Sequence, residues 1–336
     1  MMLLSVPWWT TSFSVVGGLM RRWLREEGYE FEEANWPYHV PMKAYDKVIH
    51  VNSITIEAVS AFYRYMWWTR NQLFYGVCEG RPILSHWSLA ALNSMKLIVP
   101  SKYVKWELEG MGIRVDDVIP HGIELEEFEE TPRENRWREF FGDKIVVLTV
   151  GHRNVRKGHR YLIKAWNRTK ASKDPNVLLV IHSHMKDGSG TENVILPSSE
   201  NIFVTNQAGS LDRSDIIGLF KAADLYVQPS LAEGFGLPIV EAMAAGVPTM
   251  VVDAPPMNEH VEQPEMLVKV AEQRWYNYYN VMHFRLNIPD IDDFAEKLDA
   301  AIYDEDLRRR VAEEQREAAK RYDYRIVYER WSRWLD

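Results

Sequence analysis

Two glutamates around a glycine loop are the residues whose types and spacing best suit chemistry. Glu233 begins the segment EGFGLP, residues 233–238, and Glu241 follows with seven residues between the two acids. Glycine lets the backbone approach a ligand closely, and a helix starting near Pro238 would offer free N–H groups and a positive dipole end to an anion. Carboxylates accept hydrogen bonds from vicinal hydroxyls. The segment therefore predicts a site for a sugar nucleotide.

A basic loop earlier in the chain could supply cations to the same site. Arg153 and Lys157 follow a strand predicted over residues 144–151 and precede a helix expected to begin near Gly158. An arginine can fork across phosphate oxygens, and a lysine acts as a point charge. Cations aimed at a departing phosphate would lower the barrier to glycosyl transfer. A third loop, Thr205–Gly209, is expected at the same sheet edge.

The elements that must position these loops alternate between apolar strands and helices in both halves of the chain. This alternation predicts two parallel, doubly wound α/β sheets whose ligands sit beyond the strand carboxyl ends. A Glu-rich stretch over residues 124–136 marks the boundary. We expect domains over residues 1–125 and 137–321, with a cleft between them. A helix over about 322–336 could dock back on the first domain.

Two features of the first half leave alternatives open. The stretch from Ile54 to about Tyr75 is predicted as one aromatic helix, which could lie on a membrane interface, although burial between a sheet and a second helix layer is favoured. Gly17 and Gly18 are expected to open a helix over Leu19–Glu27, where they could hold a phosphate.

Composition limits the class of protein. The chain has 336 residues and a net charge of −8, which argues against a nucleic-acid partner. Cys78 is the single cysteine, so an internal disulfide is excluded and a reducing compartment is favoured. We predict a cytoplasmic protein, with peripheral contact at the inner membrane face left open. His182 and His184 lack a third ligand and an Asp290-Ile291-Asp292 run suits a helix cap, so no metal and no cofactor are expected.

Taken together, these segments resemble the family-4 retaining glycosyltransferases of the GT-B fold. Residues 233–244 look like the spaced double-glutamate motif of that family, and residues 222–230 resemble the strand before it. Residues 120–123 resemble its interdomain entry, residues 151–158 its basic phosphate loop, and Gly17-Gly18 its N-terminal glycine loop. The similarity covers the whole chain. It implies two Rossmann-like domains that face each other across a cleft.

The resemblance also implies roles for individual residues. Glu233 would contact hydroxyls of the donor sugar and Glu241 would hold the nucleotide ribose. His86, at the end of a strand predicted over residues 81–86, would lie near the anomeric carbon. Arg153 and Lys157 would neutralise the diphosphate; they are one residue closer together than is usual, so Arg156 could share the role. The implied catalytic set is Glu233, His86, Lys157 and Arg153, and the donor-binding set is Glu241, Gly234, Phe235, Gly236, Leu237, Gly17, Gly18 and Thr205.

The function implied is transfer of a hexose, with retention, from a nucleoside diphosphate sugar to a hydroxyl acceptor. The acceptor could be a glycan, a lipid-linked sugar or a small molecule. One alternative is another GT-B activity on sugar nucleotides or sugar phosphates, such as a phosphorylase or an epimerase. A further alternative is a non-catalytic scaffold subunit of the same fold.

Overall fold

The computed structural model describes residues 1–7, 11–35, 43–152, 154–183, 201–205 and 211–335. The strands of these residues, numbered in chain order, are β1 Met2–Val6, β2 Phe31–Asn35, β3 Lys47–Ser53, β4 Gln72–Val77, β5 Arg81–Pro82, β6 Lys96–Val99, β7 Asp117–Val118, β8 Ile145–Val150, β9 Val177–His182, β10 Ile202–Thr205, β11 Leu225–Gln228, β12 Thr249–Val252, β13 Leu267–Val268, β14 Val270–Tyr278 and β15 Met282–Pro289. The α-helices are α1 Thr11–Glu26, α2 Ile56–Tyr65, α3 His86–Ser94, α4 Lys102–Glu109, α5 Leu125–Glu130, α6 Arg136–Phe141, α7 His159–Trp166, α8 Arg213–Lys221, α9 Leu237–Ala244, α10 Ile291–Tyr303, α11 Glu305–Ala319, α12 Tyr324–Tyr328 and α13 Ser332–Leu335.

Two parallel sheets of six strands form the two halves of the molecule. The first has the order β2-β1-β3-β4-β6-β7 and the second the order β10-β9-β8-β11-β12-β13. Strands such as β9, which is buried along its whole length, lie between helix layers and therefore read as continuous apolar runs. This confirms the prediction of two Rossmann-like, doubly wound α/β domains.

A third, antiparallel sheet connects the two halves. The hairpin β14–β15 belongs to the second half, and its strand β15 pairs with β5 of the first half through Met282 opposite Pro82. The hairpin turn places Tyr279 and Asn280 at φ angles of 48° and 55°. Since the sequence shows no glycine at this turn, the hairpin was not expected from the pattern alone.

The last helices return to the first sheet. The Trp331 ring lies edge-on to Tyr75 of β4, with 5.2 Å between the ring centroids. Where the chain first leaves the sheet, the amide of Ile123 donates to the Tyr322 carbonyl at 2.8 Å. The amide of Tyr324 donates in turn to the Ile123 carbonyl at 2.9 Å. The outgoing and returning crossings are therefore paired to each other.

The aromatic helix expected over Ile54–Tyr75 is wrong in its second half. Helix α2 ends at Tyr65, and the apolar residues that follow form β4, which is central in the first sheet. A short buried strand and a buried helix turn share the same apolar composition, so periodicity could not separate them.

The strand expected over Arg81–His86 is also wrong. Only Arg81–Pro82 pair as β5, and His86 is the first residue of α3. The cause is local, because the Ser85 hydroxyl accepts from the Ser88 amide at 3.1 Å and so caps a helix at this point.

Candidate active site

One cavity of about 430 Å³ lies between the two large sheets, at the carboxyl ends of their strands. The lining residues from the first half of the chain form what we call the N-terminal wall: residues 12–16, Ser53, Val77, Glu79 and His121. The lining residues from the second half form what we call the C-terminal wall: residues 150–152, Arg156, Lys157, His182, residues 211–213, Ile216, residues 233–238 and Glu241.

The glycine loop joins β11 to α9 and forms the centre of the C-terminal wall. Gly236 has a φ of 93° and is the N-cap residue of α9, so the helix begins with no side chain covering its first N–H groups. Gly234 faces the first half of the molecule. A Cβ atom there would lie 2.6 Å from Val77 Cγ1 and 2.7 Å from the Cys78 carbonyl oxygen. Glycine at 234 thus permits a contact between the two halves.

Phe235 anchors the loop in a buried aromatic cluster. Its ring centroid lies 4.8 Å from that of His121, 4.6 Å from that of His260 and 5.9 Å from that of Tyr322. The carbonyl of Phe235 also accepts from His260 Nε2 at 2.8 Å. These ring contacts and this hydrogen bond therefore fix the position of the loop backbone.

Glu233 is a buried carboxylate held by four side chains. Lys157 Nζ lies 2.5 Å from Oε1 and Arg156 Nη1 lies 2.8 Å from Oε2. Ser230 Oγ and Gln228 Nε2 donate to Oε1 at 2.6 and 3.1 Å. Burial opposes the charged form, but the attraction of Lys157 and Arg156 outweighs it, so the pKa of Glu233 is lowered to about 2.

Arg156 also reaches across the cavity. Its Nη2 lies 2.9 Å from Glu79 Oε1, so this guanidinium bridges a carboxylate from each wall. Arg153, the other predicted cation, lies outside the described residues. Glu79 was not singled out from the sequence. The signal available was a charged residue two positions after a buried strand, followed by Gly80.

Glu241 points from α9 to a second cation. Its carboxylate forms an ion pair with Arg213 Nη1, and Arg213 Nε lies 3.0 Å from Glu127 Oε2. Burial opposes the charged guanidinium, but Glu241 and Glu127 outweigh it and raise the pKa of Arg213. The sequence had not indicated Arg213, which comes near Glu241 only because α8 and α9 lie side by side.

Comparison with known proteins decides the class of this chain. Residues 131–318 match the family described as glycosyl transferases group 1. The chain belongs to this family. It is 25% identical over 315 residues to a protein named uncharacterized glycosyltransferase 335 from Sulfolobus islandicus rod-shaped virus 1, with 92% of each chain covered.

Solved structures agree with the GT-B fold of this glycosyltransferase. Sucrose-phosphate synthase from Thermosynechococcus elongatus superposes with a TM-score of 0.74 at 16% identity and covers 99% of this chain and 98% of its own. Anabaena HepE, solved in complex with UDP and glucose, gives a TM-score of 0.67 at 16% identity with the same coverage. At these identities the structures establish the fold alone.

Two predicted groups of the glycosyltransferase lie away from its cavity. His86 is exposed on α3 and does not line the cavity, because β5 is too short to carry it there. Gly17 and Gly18 lie inside α1, Thr11–Glu26, several residues after its first described turn. A Cβ atom at Gly17 would lie 2.5 Å from Val6 Cγ1, so this glycine allows α1 to pack closely on β1. The expected glycine loop at 17–18 is therefore wrong.

The remaining predicted residues lie at or beside the cavity. Leu237 and Gly236 line it, while Thr205 ends β10 and lies 2.6 Å from His182 Nδ1 through its hydroxyl. His184 and residues 206–210 lie outside the described residues. Among the side chains that are described, no three His, Cys, Asp or Glu residues group as metal ligands would. No described helix combines the length and the apolar character needed to cross a bilayer.

Proposed function

We propose that this glycosyltransferase moves a hexose, with retention of configuration, from a nucleoside diphosphate sugar to a hydroxyl acceptor. The observation that supports this most is the convergence of Glu233, Arg156 and Lys157 on the glycine loop, one helix turn from Glu241. Such a cavity offers cations and helix N–H groups to a diphosphate and carboxylates to hydroxyls.

The charges of the site suggest how a donor would enter. Arg156, Lys157, Glu233 and Glu79 carry two positive and two negative charges, which neutralise each other in this arrangement. A diphosphate would therefore compete with the carboxylates for the two cations. As the glycosyl bond breaks, negative charge grows on the departing phosphate, and cations already in place would stabilise it.

The developing positive charge on the sugar needs the opposite partner. Glycosyl transfer passes through an oxocarbenium-like transition state. Glu233 is ionised because Lys157 and Arg156 lower its pKa. It would supply negative charge and accept hydrogen bonds from hydroxyls of the sugar. Closure of the two domains would exclude the water that otherwise hydrolyses the donor.

A thermal-shift panel of UDP-, GDP- and ADP-sugars tests the donor assignment. Ligands that bind only the folded state raise its midpoint. UDP-sugars come first, since UDP and glucose are bound in the HepE structure. We expect one nucleotide class to raise Tm and NMR of the product to show the donor's anomeric configuration. No stabilisation by any donor would contradict the function, and an inverted product would contradict retention alone.

A further inference from the structure

We infer that the acceptor of this enzyme is an uncharged polyhydroxyl compound, such as an unphosphorylated sugar or polyol, and that Glu79 binds one of its hydroxyls. This deepens the proposed function and rests on it. The inference comes from the N-terminal wall, which faces the glycine loop across the cavity and is the side from which an acceptor would approach a bound donor.

The first observation is the charge of that wall. Among its described lining residues Glu79 is the only ionised side chain, since the others are apolar, serines or His121. The segments of the first half outside the described residues, 8–10 and 36–42, contain no Lys or Arg in sequence. Among the described lining residues, the lysine and arginine side chains are Arg156, Lys157 and Arg213, and all three belong to the opposite wall.

The second observation is that basic residues of the first half are engaged elsewhere. Their partners are acidic side chains on helices and strands away from the cavity, as in Arg21–Glu33, Arg22–Glu26, Lys43–Glu32, Arg81–Glu107, Lys96–Asp116 and Lys105–Glu109. None of the described Lys or Arg residues of the first half lines the cavity, so none is placed to receive a phosphate or carboxylate of an acceptor there.

The third observation is that His121 of this wall offers a hydrogen-bond acceptor rather than a cation. Tyr75 has one hydroxyl proton, which it donates to the Ile119 carbonyl at 2.8 Å. His121 Nδ1, 2.8 Å from the same hydroxyl oxygen, must then carry the proton and donate, which leaves His121 Nε2 as an acceptor. Burial lowers the pKa of His121 to about 3, so the ring is neutral at physiological pH.

Glu79, like His121, accepts hydrogen bonds, and it also carries a full negative charge. Its Oε1 is held 2.9 Å from Arg156 Nη2, and about a quarter of the side chain remains exposed at the cavity. A carboxylate accepts strongly from a hydroxyl, and it repels an acceptor phosphate once the donor diphosphate has taken Arg156 as its counter-ion. Both Glu79 and His121 are therefore complementary to hydroxyl donors and unfavourable for anionic groups.

Matched pairs of acceptors test the inference. The donor found in the thermal-shift panel is given with glucose or glucose 6-phosphate, mannose or mannose 6-phosphate, and inositol or inositol 1-phosphate. Nucleotide release and product mass are measured. We expect kcat/KM at least about tenfold higher for the neutral member of a pair. A phosphorylated member used as well as its neutral partner would overturn the inference, and so would failure of every neutral acceptor while the donor is hydrolysed.

A variant of Glu79 tests its role directly. Glu79→Gln keeps the shape but removes the charge, so we expect the KM for the neutral acceptor to rise several-fold while the Tm shift caused by the donor is retained. Glu79→Lys should move the preference toward the phosphorylated member. The control is Glu109→Gln on exposed α4 surface, with unchanged KM expected. An unchanged acceptor KM in Glu79→Gln would remove Glu79 from the acceptor site. If the wild-type protein bound no donor at all, that result would instead contradict the proposed function itself.

Discussion

At the residue scale, Glu233 shows how this site keeps a buried carboxylate charged. Desolvation alone would raise its pKa, yet two cations and two neutral donors surround both oxygens. Each of these partners also depends on Glu233, because removal of the carboxylate would leave Lys157 and Arg156 close together with less compensation. The same residues that would act on a donor therefore stabilise each other in its absence.

Lys157→Ala is expected to lower turnover by about 10²–10³-fold, because a preorganised cation at the leaving phosphate would be lost. Initial rates with the best donor and acceptor pair measure this, and circular dichroism checks the fold. Lys105→Ala, which removes a surface lysine paired with Glu109, serves as the control. Near-normal rates in a folded Lys157→Ala protein would contradict the assignment.

His260 is expected to make stability depend on pH. Burial lowers its pKa from 6.5 to about 4. Between pH 6.5 and pH 4 the unfolded chain binds a proton at this histidine and the folded chain does not. The contribution of neutral His260 to the free energy of unfolding is therefore complete above pH 6.5 and falls as the pH drops toward 4. Urea unfolding at pH 7, 6 and 5 should show His260→Gln with a slope shallower by up to about 1.4 kcal/mol per pH unit. Identical slopes in both proteins would contradict the prediction.

At the element scale, α1 replaces the expected phosphate loop by a packed helix. Gly17 lies against Val6, whereas nothing lies within 4 Å of a Cβ atom built at Gly18. The two glycines therefore offer a comparison inside one helix. One position needs glycine for close packing on β1, and the other carries only the conformational cost of glycine in a helix.

Gly18→Ala is expected to stabilise the protein by about 0.5–1 kcal/mol, since alanine restricts the unfolded chain and fits the helix. Gly17→Ala should destabilise it, because the new methyl would meet Val6. Urea unfolding measures both. Donor binding should be unchanged in Gly18→Ala, and a weakened donor affinity there would restore the phosphate-loop interpretation.

At the scale of the whole molecule, several contacts hold the two halves together beside the cavity. Glu107 of α4 is fully buried and pairs with Arg81 at 2.7 Å and with Arg285 of the hairpin at 3.2 Å. Arg285 also lies over the rings of Trp106 and Trp275, at 4.8 and 4.9 Å from their centroids. The acidic residue thus joins the first half to strand β15 of the second.

Glu107→Gln is expected to cost about 3–5 kcal/mol in the free energy of unfolding, because two cations would be left near each other without a buried counter-charge. Glu109→Gln, two residues along the same helix and exposed, should change it by less than about 0.5 kcal/mol. Urea denaturation of both variants makes the comparison. Equal free energies of unfolding for Glu107→Gln and Glu109→Gln would show that the ion pairs of Glu107 do not hold the two halves together.

Local sequence determined the two parallel sheets and the course of the glycine loop. Strands buried between helix layers are continuous apolar runs, and the loop with Glu233 and Glu241 is contiguous in the chain, so neighbouring residues carry the information. Lys157 was also indicated locally, by its place between a strand and a helix. The hairpin β14–β15 was missed because its turn carries no glycine and its exposed strand β14 is largely polar, although most of β15 is buried.

Only the tertiary structure decided which distant residues share the cavity. Glu79, His121 and Arg213 come from different elements, and their meeting depends on strand order and on the paired crossings at Ile123 and Tyr322. The same topology leaves His86 outside, since a serine cap turns the chain into α3 before it reaches the cleft. Propensity and periodicity act over a few residues, whereas the contents of a cleft are set by packing between elements far apart in the chain.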